Sequence, residues 1–477
     1  MERTKNRITI SVLIITLALL SLPAYAEIIN VPDDFETIHG AIWESEDGDT
    51  VLVQPGEYVE NIAYHGKDIV VGSLMLTTGN EVYIDSTIID GNRRGSVVAF
   101  LGRVTADAKL IGFTIRNGIG TNLNGKFTGG GILIIQSDVV IEHCRIRDNH
   151  VVTDFGISSF GGGIACYGLA NPTIRNCEIY TNSSDGFGGG ISIELICNPT
   201  IERVIIRDNS AVGGGGIIIF NDCDVTISHS VISDNIAGDF GGGIFMERTS
   251  QVDLLNVTVG GNSCGSVGGG VLLNANVQFN AVNSIFWDNN REELSLWSGC
   301  SVSVSYCDIE DGEEGIVTNN SEVDWGEGNI DEAPLFIDSE NGNYHLTGDS
   351  PCINTGDPDS EDDPDGSRAD MGAFYFDLNE IKVSDDDILP CVIYLSSPYP
   401  NPFNSTTTIG YRLPYPGNVS LQVYNKLGQQ VTSLYEGYRQ AGFHNVVLNA
   451  AYLPSGLYFV RLNASDQVFT RKVMLIR

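Results

Sequence analysis

Gly188-Gly189-Gly190-Ile191 opens a stretch that runs through Ile201-Glu202-Arg203-Val204-Ile205-Ile206-Arg207-Asp208-Asn209 to a second Gly214-Gly215-Gly216-Ile217. Such a glycine triplet with a β-branched residue after it recurs at Gly129 to Ile132, Gly161 to Ile164, Gly188 to Ile191, Gly214 to Ile217, Gly241 to Ile244 and Gly268 to Val271. The steps are 32, 27, 26, 27 and 27. A second marker keeps the same period: Asn149, Asn182, Asn209, Asn235, Asn262 and Asn289. Two markers with one spacing define a repeat. Between them lie small apolar columns such as Ile141, Cys144, Ile146; Ile174, Cys177, Ile179; Ile201, Val204, Ile206; Ile227, Ser230, Ile232; and Leu254, Val257, Val259. Runs of three to five residues between turn formers are too short for helices and read as strands. A path of about 27 residues holds three short strands and three bends, and stacking such coils gives a right-handed parallel β-helix, because parallel crossovers take that hand. The repeated Asn is then expected to hydrogen-bond along the stack, and the glycines to turn with positive φ.

Composition bounds the partners. The chain has 477 residues and a formal charge of −35, which disfavours nucleic acid and anionic membrane surfaces. Hydrophobic content of 42% against 18% charged residues supplies a core and excludes global disorder. At the start, Arg3, Lys5 and Arg7 precede the apolar run Ile8 to Leu22, and Ala24-Tyr25-Ala26 supplies a small-residue pattern. This reads as a signal peptide over 1–26, cleaved between Ala26 and Glu27. At 15 residues the run is shorter than a membrane span, so no span is expected in the mature form. Export permits disulfides among the ten cysteines without dictating pairings.

Charge divides the remainder. Residues 27–390 carry 16 Lys/Arg against 58 Asp/Glu, a net of −42, whereas Cys391 onward has seven Lys/Arg against Glu436 and Asp466, a net of +5. That sign change predicts a domain boundary. The stretch 357–390, with twelve carboxylates between Asp357 and Asp387, reads as an acidic connector and closing segment. Within it Asp359, Glu361, Asp363 and Asp365 alternate before Gly366 as metal ligands do in calcium loops, but Gly372 stands where such a loop needs a bidentate Glu. A calcium site and a plain acidic linker both remain open.

A helix is expected near the beginning, capped by Asp33-Asp34, with Phe35, Ile38, Ala41 and Ile42 on one face and Gly48 at its end. Phe35-x-Thr37-Ile38-x-x-Ala41-Ile42 and Gly48-Asp49-Thr50-Val51-x-Val53-x-Pro55-Gly56-x-Tyr58 resemble the opening of pectin-lyase-like right-handed β-helix proteins. Ala333-Pro334-Leu335-Phe336, Ser350-Pro351-Cys352-Ile353-Asn354-Thr355-Gly356 and Asp370-Met371-Gly372-Ala373 resemble the closing segment of their bacterial secreted members. Further on, Tyr399-Pro400-Asn401-Pro402-Phe403-Asn404, Val419-x-Leu421-x-Val423-Tyr424 and Leu453-Pro454-Ser455-Gly456-Leu457-Tyr458 look like the type A sorting domain of type IX secretion cargo. Without that likeness, the same residues read as a small immunoglobulin-like β-sandwich over 391–477. The resemblances imply a β-helix over 27–356, handling by the type IX machinery, and delivery through the periplasm to the outer surface or beyond.

Fold alone does not assign chemistry. Relatives of this kind include pectate lyases, methylesterases and polygalacturonases, yet the chain has no Asn-Thr-Asp, Gly-His-Gly, Arg-Ile-Lys or Asp-Phe-Ile-Phe-Gly. What remains are outward residues. Asp148, Asp208, Asp234 and Asp288 each precede a marker Asn and read as turn formers, and Arg147 and Arg207 stand one residue earlier as surface pairs or ligand contacts. His143, His229, Asn176, Asn256 and Asn283 share one bend and read as turn hydrogen-bonders, while Cys144, Cys177, Cys307 and Cys166 read as small buried hydrophobes. Leu133, Ala165, Ser192, Ile218, Phe245 and Leu272 alternate outward, with Tyr167 and Phe220 nearby, forming an apolar stripe. Either it is an exposed docking surface or the loops before the triplets fold over it. Tyr167, Phe220, Phe245, Arg147 and Arg207 are the candidate ligand contacts. The expected role is binding of a carbohydrate or another surface ligand; a polysaccharide lyase or glycoside hydrolase, and a structural or adhesive surface protein, are the alternatives.

Overall fold

The computed structural model describes residues 26–152, 158–378, 394–395, 403–413, 417–426, 428–440, 442–450, 453–464 and 467–476. The expected leader before Ala26, the middle of the loop 153–157 and the connector 379–393 lie outside the described residues. The chain forms two compact units, 1–376 and 377–477.

In the first unit each repeat makes one coil of a parallel stack. Its strands fall into three walls. A broad wall holds two strands per coil, such as Val140–Glu142 and Arg145–Arg147, joined by a bend at which His143, Asn176, Arg203, His229, Asn256, Asn283 and Tyr306 all have φ near +50°. A ten-stranded wall holds the strands after the glycine triplets, Ile132–Ile135 to Leu294–Leu296 and beyond. A short five-stranded wall follows the first five marker asparagines, Asn149 to Asn262. Registers match like with like: Ile141 pairs Ile174, Ile174 pairs Ile201, and Ile146, Ile179, Ile206 and Ile232 continue in file. These inward side chains are fully buried in one core. Each such Ile contributes about 1.5–3 kcal/mol by leaving water.

The asparagines form a continuous internal file. Asn182 Nδ2 donates to Asn209 Oδ1 at 3.1 Å, Asn209 to Asn235 at 3.0 Å, Asn235 to Asn262 at 3.0 Å and Asn262 to Asn289 at 2.9 Å. The file ends on Glu293, whose carboxylate accepts from both the amide and the side chain of Asn289. Burial raises the Glu293 carboxyl to about 8. The glycines do more than the expected turning. Only the first of each triplet has positive φ, as at Gly188 and Gly214; a Cβ on the second would strike the next coil's backbone, 2.4 Å from Gly215 O in the case of Gly189.

One local expectation is corrected and another, the burial of the inward cysteines, is borne out with an addition. The helix spans Ile38–Glu44 and is capped by Thr37, whose hydroxyl accepts from Gly40 N, and by Glu60, which accepts from Ile38 N and His39 N at 3.0 and 2.8 Å. Asp34 instead accepts from Asn30. The stacked cysteines are also not merely apolar. Cys144 N donates to Cys177 Sγ as Val204 N donates to Ser230 Oγ and Val257 N to Ser284 Oγ, so some coils of this column supply a side-chain acceptor while Val204 and Val257 supply only apolar volume. Nine cysteines are free and buried; Cys391 lies outside the described residues.

The second unit is a sandwich of a three-stranded and a four-stranded antiparallel sheet. Leu421, Val423, Val460 and Leu462 from one sheet meet Ile409, Tyr411 and Leu448 from the other.

Candidate functional site

The outward face of the broad wall changes character along the rod. Its paired outward positions read Arg145, Glu178, Ile205, Val231, Thr258, Ile285 and Asp308. The apolar half is where residues 331–376 fold back. Tyr344 lies over Gly260, where a Cβ would come within 2.8 Å of its ring, and its hydroxyl donates to Gly260 O and Asp234 Oδ2. Ala373 N donates to Thr258 Oγ1 at 3.0 Å. Asn256 and Asn283, read from sequence as bonding their own turns, instead reach across: Asn256 Nδ2 donates to Asp370 O and Asn283 Oδ1 accepts from Asp357 N. The sequence reading of 357–376 as a solvated connector is therefore corrected. Asp370 is 1% exposed and accepts amides from Asn354 and Phe376 at 2.6 Å.

Between wall and strap lies a cavity of about 320 Å³, lined by Arg203, Ile205 and His229 on one side and by His345, Asp363 and Phe374 on the other. His345 stacks on Phe374 with ring centroids 3.9 Å apart. Burial holds His345 below its ordinary value. Burial and then the Arg203 guanidinium do the same to His229. Burial, followed by the neighbouring Asp370 carboxylate, raises Asp363 to about 6. At neutral pH the cavity thus presents two neutral imidazoles, one guanidinium and one carboxylate among apolar walls.

Asp308 latches the strap: its carboxylate accepts from Cys352 Sγ at 3.1 Å and Glu332 N at 3.2 Å, and burial raises it to about 7. A raised carboxyl means that the folded chain holds the proton more firmly than the unfolded chain does. Its stabilising contribution is full below the ordinary carboxylate range and is lost as pH rises through about 6 for Asp363 and about 7 for Asp308. Hydrogen exchange in 343–376, corrected for intrinsic rates, is expected to be slower at pH 5 than at pH 8, and Asp308→Asn to flatten the difference; equal protection at both pH values refutes this account.

The other candidates fall in different places. Arg147, Tyr180 and Arg207 are aligned on the charged half of this same face. Arg207 lies 4.5 Å over the Tyr180 ring and pairs with Asp208, while Arg147 pairs with Asp148. Such exposed pairs are worth under about 1 kcal/mol. Tyr167, Phe220 and Phe245 lie on the ten-stranded wall, apart from the arginines. The stripe there is not an open surface: Leu133, Ala165, Ile218, Phe245 and Leu272 are at most 6% exposed. Phe187, Phe240 and Val267, each directly before a triplet, fold over it. Of the two alternatives the sequence left open, this is the covered stripe; the left-handed turn at the first glycine brings the preceding residue back over the strand. At its margin Glu194 is buried, with a carboxyl raised to about 7 and Lys126 Nζ at 3.4 Å.

Calcium finds no cage among the described residues, where no three His, Cys, Asp or Glu are gathered to hold a metal. Asp363 accepts from Asp370 N and Asp365 from Ser367 N and Oγ, so these two expected ligands serve the strap's own backbone, and Asp359 and Glu361 are not brought together with them. The cavity itself was missed from sequence. Its signal was the switch from Arg145 and Glu178 to Ile205 and Val231 in one outward column, which announces a cover.

Comparison with known proteins follows the two units. Residues 72–262 match the family described as right handed beta helix region, and residues 397–476 match the secretion system C-terminal sorting domain. Among solved structures, pectin methylesterase from carrot aligns at 12% identity and a TM-score of 0.31, over 67% of this chain and 97% of that one. No curated protein matches the chain.

Proposed function

Starting from a right-handed β-helix protein whose C-terminal sorting domain marks it for type IX secretion to the cell surface or beyond, we propose that it binds a neutral carbohydrate in the cavity beneath the strap. The observation that carries this reading is the lining: an aromatic platform of stacked Phe374 and His345, with hydrogen-bonding groups from His229, Arg203 and Asp363 converging on it. Aromatic faces suit sugar rings, and about 320 Å³ lies at the small end of ligand clefts, enough for a short glycan terminus. The net charge of −42 over 27–390 favours neutral sugars over polyuronates. Binding is preferred to hydrolysis because glycoside hydrolysis needs two facing carboxylates, and Asp363 is the one carboxylate among the residues lining this cavity.

Titration of the purified chain with neutral trisaccharides is expected to give submillimolar binding for at least one of them. Phe374→Ala is expected to weaken it about tenfold or more through loss of ring contact. Absence of binding across a neutral glycan panel refutes the reading. Accumulation of reducing ends or unsaturated products would transfer the protein to the hydrolase or lyase alternative, and self-association without glycan binding to the adhesive one.

A further inference from the structure

The C-terminal unit carries a second concavity, of about 310 Å³, on the outer face of its four-stranded sheet. Alternation along Gly417–Asn425 and Gly456–Ala464 sends Val423, Tyr458 and Val460 into the core and leaves Tyr424 and Phe459 on the outside, directly opposite each other across the strands. The Tyr424 hydroxyl donates to Gln422 Oε1 at 2.7 Å, which orients the ring. Two exposed cations flank this aromatic pair. Arg461 sits opposite Gln422 and Thr470. Lys426 follows Asn425 in a turn held by Gly428 N to Asn425 O and by Gln429 N to Asn425 Oδ1, both 3.0 Å. From Cys391 onward the sequence has only Glu436 and Asp466 to oppose seven Lys/Arg.

We propose that this concavity is a binding site for an acidic sugar, a ring bearing a carboxylate or a phosphate. The paired rings offer an apolar platform for the sugar face, and Arg461 and Lys426 stand at its rim as donors to the acid. The site size matches one or two rings. A purely acidic peptide would use the cations and leave the aromatic platform idle, so the saccharide is favoured. The sign of charge is opposite to that of 27–390, so the site would recognise the glycans that the first unit repels.

The full chain is titrated with trigalacturonate and with glucose 6-phosphate, which separate a uronate source from a sugar-phosphate source, against maltotriose and glucose. At least one acidic probe is expected to bind ten times more tightly than its neutral counterpart, and to weaken tenfold in Arg461→Gln, in Lys426→Gln and in high salt. Tyr424→Ala is expected to weaken the same probe, whereas Phe374→Ala in the first unit leaves it unchanged, which keeps this result separate from the cavity beneath the strap. Both cation variants alter exposed side chains and are expected to fold, as their circular dichroism checks. Equal affinity for acidic and neutral sugars, indifference to Arg461→Gln, or tighter binding of an oligoaspartate peptide than of either acidic sugar overturns the proposal.

Discussion

Asn235→Ala is expected to destabilise the first unit by about 3–5 kcal/mol, read as a lower urea midpoint. Asn235 Oδ1 accepts from Asn209 N and Nδ2 at 3.1 and 3.0 Å, and its Nδ2 donates to Ile206 O and Asn262 Oδ1 at 2.9 and 3.0 Å. The residue is fully buried. Removing the amide strands the buried Asn209 N–H, at about 1–3 kcal/mol, and also takes one hydrogen bond each from Asn209 Nδ2, Ile206 O and Asn262 Oδ1. Asn235→Asp separates donor from acceptor. Its carboxylate can still accept from Asn209 but faces two acceptors, Ile206 O and Asn262 Oδ1, and must be protonated to donate. Its loss is therefore expected to be larger at neutral pH than at pH 4–5, where the proton is cheaper to hold. An alanine variant as stable as the parent would show the file to be decoration.

The second large effect is expected at Gly215. A Cβ there would lie 2.6 Å from Gly242 O and 2.7 Å from Ile236 C, both backbone atoms of the following coil. Backbone in register with its neighbours on both sides cannot retreat alone, so Gly215→Ala is expected to cost about 3 kcal/mol or more. Gly417→Ala is the control: nothing lies within 4 Å of its Cβ position, and its φ is not left-handed. It is expected to fall within about 0.5 kcal/mol of the parent. If the two alanines behave alike, close approach is not the reason for the triplets.

Much of the fold was legible because a stacked coil repeats its own constraints. Ile141, Ile174 and Ile201 stand one above another, so a column of like residues in the sequence is a column in space. The Asn file and the inward cysteines follow from the same periodicity. The right-handed stack, the sandwich and the sorting domain agree with what the structure and the family matches show. The glycines were half legible. Turning is a local property that composition reveals, but the need for empty space at Gly189 and Gly215 depends on the coil beyond.

The inward half of each strand and the repeated bends were thus determined by the sequence itself, since each depends on neighbours one residue or one repeat away, whereas the charge change at Cys391 does not coincide with the division of the two units after Phe376. Whether an outward residue meets water was decided only by the tertiary structure. Ile205 and Phe245 are equally apolar and equally outward by alternation, yet one borders a cavity under a strap that arrives from Tyr344 and Phe374, and the other is sealed beneath Phe240. For Ile205 the physical reason is that its cover comes from chain a hundred or more residues away, as Tyr344 is to Asp234, and leaves no period for the sequence to show, whereas the cover of Phe245 is local and recurs with the triplets.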